Sequence, residues 1–195
     1  SPLRRGRFLY QSGPGVNLPA RRSIDDRVTR LDQMMSDAGL SVSDRLVLDV
    51  GCNIGMMMGE YLRQGARWCH GWDRARVTTH TEELLHGLGC TRFSTTGGDI
   101  ATEQPMEEYI PAFLRPALDG CVISYLAVHG HVGWLDALAR IPWSFIIYEG
   151  HQDDDRAQVD RDLAELRART AFEVEGLSLY QDGLSDERYV ALLRR

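Results

Sequence analysis

The sequence predicts an α/β chain: a mainly parallel sheet with helices on both faces, closed by an antiparallel β-hairpin. Three observations carry this. From residue 46 onward, short apolar runs alternate with amphipathic helical segments. A glycine-bearing loop, "VLDVGCNIG", follows the first of those runs. Two consecutive strand patterns end the chain, with an Asp182-Gly183 turn signal between them.

The elements follow in order. Residues 1–22, rich in Arg, Gly and Pro, read as irregular. A helix is expected from Ser23, because Ser23 and Asp26 have capping-box spacing. Its apolar face carries Ile24, Val28, Leu31, Met35 and Ala38, and Gly39 stops it. Then come five strand-then-helix units. Their strands are Leu46–Val50, Trp68–Trp72, Thr91–Thr95, Cys121–Leu126 and Ser144–Tyr148. The helices are Met56–Arg63, Thr79–Leu88 (with Leu84, Leu85 and Leu88 inward), Met106–Leu114, Val132–Arg140 and Asp155–Arg169. Ala171–Leu179 and Arg188–Leu193 form the hairpin. Residues 1–40 are expected to be an arm and helix over the ligand side, and residues 41–195 the binding domain. The first residue is Ser1 rather than methionine, as expected of a trimmed chain or a piece of a longer protein.

The chain has 195 residues, 43% hydrophobic and 26% charged, which suits one globular domain. No apolar run approaches the ~20 residues of a membrane helix, and no signal-peptide pattern is present. The expected location is cytoplasmic, with no membrane partner. All 22 basic residues are arginine, so no lysine can act as a base or Schiff-base nucleophile. Anions must be gripped by the guanidinium fork. A net charge of −6 argues against a broad nucleic-acid face. The four cysteines (Cys52, Cys69, Cys90, Cys121) form no CxxC pair and read as reduced thiols.

The loop lacks both GxxxxGK[ST] and GxGxxG, so it is neither a triphosphate loop nor a dinucleotide loop. Its form is Asp49-x-Gly51-x-x-x-Gly55, with Asn53 between the glycines. A carboxylate at the strand end suits a cationic ligand. S-adenosylmethionine carries a sulfonium and an ammonium, and Asp49 can receive the ammonium directly or through water. Asp73, in "GWDR", ends the second strand at the distance of a ribose-binding acid. Asp99, in "GGDI", can accept from the adenine amine, with Ile100 against the ring. Acids at three successive strand ends favour ligand binding over helix capping.

These motifs, with "LDGCVISYLAVHGHV", resemble those of class I S-adenosylmethionine-dependent methyltransferases from about Arg45 to the C-terminus. The resemblance implies a three-layer Rossmann-like sandwich with a mostly parallel seven-stranded sheet. It also implies that Asp49, Gly51, Asn53 and Gly55 surround the methionine part, with Asp73 at the ribose and Asp99 and Ile100 at the adenine. Cys52, Trp72, Arg74 and Tyr125 lie within the same motifs and join the candidate cofactor residues. The turn before the fifth strand reads "ARIPWS" where the family has "PGG". The leader "NLPARRSIDDRVTRL" resembles the segment before motif I in wobble-uridine tRNA carboxymethyl-transferases and some sugar or natural-product methyltransferases, which implies that Arg22 reaches the cofactor carboxylate.

His129 and His131 follow the fourth strand, and Glu149 and His151 the fifth. His129, His131 and Glu149 are the catalytic candidates. Imidazole can take a proton near neutral pH. Structural or substrate hydrogen bonding, and metal ligation by His129-x-His131 with Glu149 or His151, are the alternatives. Asp153, Asp154 and Asp155 resemble a metal triplet but fit a helix N-terminus better. Tyr10, Gln11, Trp134 and Trp143 either form an acceptor lid or pack. Met56–Met58 read as packing. The expected activity is methyl transfer to a hydroxyl or amine of a small molecule. The alternatives are a tRNA-modifying enzyme, contacting RNA through Arg4, Arg5, Arg7, Arg21 and Arg22, and a non-catalytic cofactor-binding domain.

Overall fold

The computed structural model describes residues 9–12, 20–99, 109–151, 154–181 and 187–195, with 9–12 and 20–23 as backbone alone. Its strands are β1 (Leu9–Ser12), β2 (Ala20–Ser23), β3 (Leu46–Val50), β4 (Trp68–Asp73), β5 (Phe93–Gly97), β6 (Val122–Leu126), β7 (Phe145–Glu149), β8 (Glu173–Gln181) and β9 (Glu187–Arg194). The α-helices are α1 (Asp25–Asp37), α2 (Met56–Arg63), α3 (Ala75–Gly87), α4 (His129–Val132), α5 (Ala137–Arg140) and α6 (Arg156–Arg167). A 3-10 helix covers Ala112–Ala117.

The main sheet has seven strands in the order β5-β4-β3-β6-β7-β9-β8. The first five run parallel, and β9 pairs antiparallel with both β7 and β8. This is the expected three-layer, Rossmann-like α/β sandwich with a closing hairpin. Strand order reverses between β3 and β6, so the crevice for a ligand opens at their carboxyl ends.

Alternation within the strands builds the layers. Leu46, Leu48 and Val50 of β3 face one core, with Leu114, Trp134, Leu138 and the α6 stripe of Val159, Leu163 and Leu166. Val47 faces the other, against Val28 and Leu31 of α1, Met56–Met58 and Tyr61 of α2, and Leu85 of α3. The three methionines therefore pack, as expected. Helix α1 belongs to this second layer, lying against β8 and β9 and contributing to its core.

Several boundaries differ from expectation. Residues 9–12 and 20–23 are not irregular but form a small parallel sheet. Ile24, not Ser23, is the residue before α1, and no side chain caps that helix. Helix α3 begins at Ala75, four residues before the expected Thr79, and only Leu85 of its three leucines is fully buried. The segment Val132–Arg140 divides into α4 and α5 around Gly133, whose φ of +64° with ψ of −161° suits glycine alone. Asp155 caps α6 by accepting from the Gln158 amide at 2.7 Å, the role expected of that acidic run. Asp154 accepts from the His151 amide; Asp153 lies outside the described residues, as do residues 106–108 of the expected helix Met106–Leu114 and the Asp182-Gly183 turn. The described part of that expected helix departs from it: Ile110 and Pro111 are not helical, as a residue before proline is steered away from the helical region, and Ala112–Leu114 open the 3-10 helix.

Buried in this frame is His70 of β4 (3% exposed). Its Nε2 donates to the Tyr109 carbonyl at 3.1 Å, and its Nδ1 accepts from Ser94 Oγ at 2.8 Å, the tautomer that the carbonyl partner requires. Burial pulls its pKa down to about 4, against the opposing effect of those bonds. The unfolded chain, with an ordinary histidine near 6.5, binds more protons between the two values. Stability from His70 is therefore present above about pH 6.5 and lost as pH falls toward 4, by on the order of 3 kcal/mol. Asp49, whose pKa is raised, acts with opposite sign across much of this window. The check is thus a difference. Urea melts of the wild type and His70→Gln between pH 4 and 7 should show a shallower acid-side loss in the variant, and parallel curves would refute the assignment.

Candidate functional site

The loop after β3 is built from backbone geometry. The amides of Gly51 and Cys52 donate to the Trp72 carbonyl at 2.8 and 3.2 Å, which ties the loop to the end of β4. Gly51 and Gly55 have φ of +72° and +81°, open to glycine without strain. A Cβ on Gly51 would lie 2.6 Å from a Val128 methyl, and one on Gly55 2.5 Å from a Thr81 methyl. Gly55 leads directly into α2. Asn53 has φ of +49°, and its amide donates to Asp73 Oδ2 at 2.9 Å.

Asp73 thus holds the loop. Its Oδ1 accepts from the Arg74 amide at 2.7 Å. The carboxylate, 13% exposed, keeps lone pairs for further donors such as sugar hydroxyls. The side chain of Arg74 is open to solvent, with Nε 3.8 Å from Asp73. Asp99 stands exposed two residues beyond β5; Ile100 lies outside the described residues, and of Arg22 only the backbone, in β2, is described.

Asp49 is recessed under the loop, 4% exposed. It accepts from Ser124 Oγ at 2.6 Å, and that hydroxyl is reached by the Tyr61 hydroxyl at 3.1 Å. Burial raises its pKa to about 7, against the Ser124 bond and the Arg27 charge, with Asp73 adding to the rise. A cation brought against this carboxyl favours its ionised form.

Three cofactor candidates lie in the core rather than on the site wall. Tyr125 is fully buried, stacks on Trp134 at 5.0 Å, and gives its hydroxyl to the Gly133 carbonyl. Trp72 is buried and stacks on Tyr109 at 4.2 Å, so only its backbone carbonyl serves the loop. Cys52 is buried, and burial holds its thiol well above the usual range. Trp134 and Trp143 also pack; their indole N–H groups donate to the carbonyls of Asp162 and Leu138. The side chains of Tyr10 and Gln11 lie outside the described residues.

The catalytic candidates separate. Glu149 is fully buried, and its environment is an ion-pair cluster rather than an open strand end. It accepts from Arg27 at 2.8 Å, Arg188 at 3.2 Å and Tyr180 at 2.8 Å. The side chain of His129 is 12% exposed, with Nδ1 3.1 Å from Asp162 Oδ2 and the ring against Trp134. His131 is exposed, and its ring meets that of His151 edge-on at 5.4 Å between centroids. With Glu149 committed elsewhere, the candidate metal set does not assemble, and no group of three metal-binding side chains occurs among the described residues.

Sequence reasoning missed Arg27, Ser124, Tyr180 and Arg188. Arg27 had a signal: it falls on the apolar face of α1, between Ile24 and Leu31, where an arginine needs a buried partner. The partners themselves are distant in the chain and left no local trace.

Comparison with solved structures places the fold. A protein named as a hemolysin from Streptococcus thermophilus is 16% identical, with a TM-score of 0.61 over 92% of this chain and 69% of that one. Magnesium protoporphyrin IX methyltransferase from Synechocystis PCC 6803, solved with bound S-adenosylmethionine, is 13% identical, with a TM-score of 0.59 over 87% and 78%. An rRNA methylase from Streptococcus thermophilus is 13% identical, with a TM-score of 0.57 over 84% and 94%. The chain therefore has the Rossmann-like fold shared by S-adenosylmethionine-dependent methyltransferases. No protein-family model and no curated protein sequence matches it. No helix among the described residues is long and apolar enough to cross a membrane.

Proposed function

We propose that this chain is an S-adenosylmethionine-dependent methyltransferase acting on a hydroxyl or amine of a small molecule. The observation that carries the reading is the glycine loop pinned by its Asn53 amide to the Asp73 carboxylate, over the recessed Asp49, where strand order reverses. The fit is chemical. A partly open carboxylate suits ribose hydroxyls, a buried carboxyl suits an ammonium, and glycine backbone leaves room for close approach. When bound, the cofactor supplies an electrophilic methyl group.

The chain's own residues then bind, orient and deprotonate. Asp73 would hold the ribose and Asp99 the adenine amine; Ile100, expected against the adenine ring, lies outside the described residues. The backbone of Gly51, Asn53 and Gly55 surrounds the aminoacyl end. Holding acceptor and methyl carbon in line provides much of the rate. His131, exposed beyond β6 and beside His151, would take the proton that a hydroxyl acceptor loses as its oxygen bonds the methyl carbon and the bond from that carbon to sulfur breaks, the pair of electrons leaving with the sulfur. The net charge of −6 favours a small acceptor over RNA.

Isothermal titration with S-adenosylmethionine and S-adenosylhomocysteine tests the cofactor; no heat from folded protein would end the proposal. Release of S-adenosylhomocysteine with RNA, but with no small hydroxyl or amine compound, would move the acceptor to RNA.

A further inference from the structure

A cleft of about 500 Å³ runs along α2, between that helix and residues 88–92, which join α3 to β5. Its volume falls within the ~300–1,000 Å³ of small-molecule sites. It is separate from the glycine loop, because none of Asp49, Gly51, Asn53, Gly55 and Asp73 lines it. Its apolar wall comes from Met56 and Leu62 of α2 and from Leu88. Met56 directly follows Gly55, whereas Arg63 ends the helix, about 10 Å further along its axis. Arg92, the residue before β5, lines the cleft as well. Helix α2 returns from the carboxyl edge of the parallel strands to their amino edge. Both arginines therefore stand at the amino edge, with the apolar wall leading away from them toward Met56.

The charges of the cleft are one-sided. Glu60 is the only acid among the described residues that line it, and it is buried, at 4% exposed. Both of its oxygens are taken. Oε2 accepts from Arg63 Nε at 2.8 Å, and Oε1 accepts from Gln64 Nε2 at 3.0 Å and from Arg63 Nη2. A cation entering the cleft would find no free carboxylate. The arginines differ. The side chain of Arg63 is 61% exposed, and its Nη1 takes no part in the pair with Glu60. Arg92 is exposed; its carbonyl accepts from the Cys69 amide at 3.0 Å, and its side chain makes no hydrogen bond or ion pair among the described residues. Guanidinium groups with donors to spare suit a carboxylate or phosphate, and the wall beside them suits a hydrocarbon. We propose that this cleft is a second binding site, taking a small molecule with an apolar body and one anionic head, the head against Arg63 and Arg92. Its occupant rests on the helix that begins at Gly55, so the two sites share α2.

Probes that share one body isolate the head: octanoate, octyl phosphate, octanol and octylammonium. Calorimetry reads their Kd, and Cys90 reads the place. Cys90 lines the cleft half-buried, while Cys52, Cys69 and Cys121 are buried. Burial raises the Cys90 thiol, so its alkylation is followed by mass spectrometry at mildly alkaline pH. At least one of the anions should bind about tenfold tighter than octanol and octylammonium, and should slow alkylation of Cys90. The tighter anion names the head. Arg92→Glu changes an exposed side chain without partners, so the fold should be kept. It should weaken that anion about tenfold and leave octanol near its wild-type Kd. Four results would each overturn the proposal: equal affinity for all the probes, binding that leaves Cys90 unprotected, an anion preference retained in Arg92→Glu, or no binding of either anion by folded wild type. None of these depends on S-adenosylmethionine, so the cofactor proposal stands or falls separately.

Discussion

Replacing Glu149 by alanine is expected to destabilise the fold by about 3–5 kcal/mol, the usual cost of removing one partner from a buried ion pair. The side chain has no exposure and takes hydrogen bonds from three groups on three different elements. Its loss leaves the Arg27 and Arg188 guanidinium groups in the interior without their shared carboxylate. It also unpins α1 from β7, and the β8–β9 hairpin from both. Glu149→Gln keeps a carbonyl oxygen for these donors and should cost clearly less. Urea titration at neutral pH reads both effects. An alanine variant within 1 kcal/mol of wild type would show that the cluster does not hold these elements together. The pair of variants also separates two roles for this residue. A catalytic base would lose turnover in both variants without losing stability, whereas the buried cluster predicts loss of stability first, most in the alanine variant.

How Glu149 came to look catalytic shows what sequence can and cannot convey here. Strand periodicity and the glycine loop are local properties, and they placed β3 to β9 with small errors. The alternation also fixes which face Asp49 and Glu149 share, because each follows apolar partners at two-residue spacing. What lies over that face is not local. Arg27 and Tyr180 are 122 and 31 positions from Glu149, and only the packing of α1 and the hairpin brings them there. A strand-end acid next to histidines is therefore indistinguishable, in sequence, from a base. Tyr125 and Trp72 repeat the point, since a motif position fixes the backbone while the neighbouring core decides where the ring goes. The parallel pair β1–β2 escaped notice for another reason: four-residue strands in an Arg-rich segment carry no apolar alternation to read. Arg27 is the exception. A charged residue on the buried stripe of an amphipathic helix is a visible conflict, and such conflicts are where function or buried pairing is to be sought.

Asp73→Ala should have the largest effect on ligand binding, because the carboxylate acts twice. It accepts the Asn53 amide at 2.9 Å and so holds a residue at φ of +49°, a region that side-chain-bearing residues enter only at some cost. In the proposed site it also receives the ribose hydroxyls, each hydrogen bond to a charged acceptor contributing about 1.5–3 kcal/mol. Losing both functions should raise the Kd for S-adenosylhomocysteine by on the order of 100-fold. Asp73→Asn offers the control, since its amide oxygen still accepts from Asn53 while the charge is gone. A loss of about tenfold is expected there, with the loop intact. The nucleoside alone sharpens the comparison. Adenosine, which lacks the aminoacyl end, should lose affinity in parallel with S-adenosylhomocysteine in both variants, because the shared contact is the ribose. Should Asp73→Ala weaken S-adenosylhomocysteine but leave adenosine untouched, Asp73 would act only through the loop, and the ribose contact would have to be sought elsewhere. Equal affinities in wild type and Asp73→Ala would remove it from the site altogether.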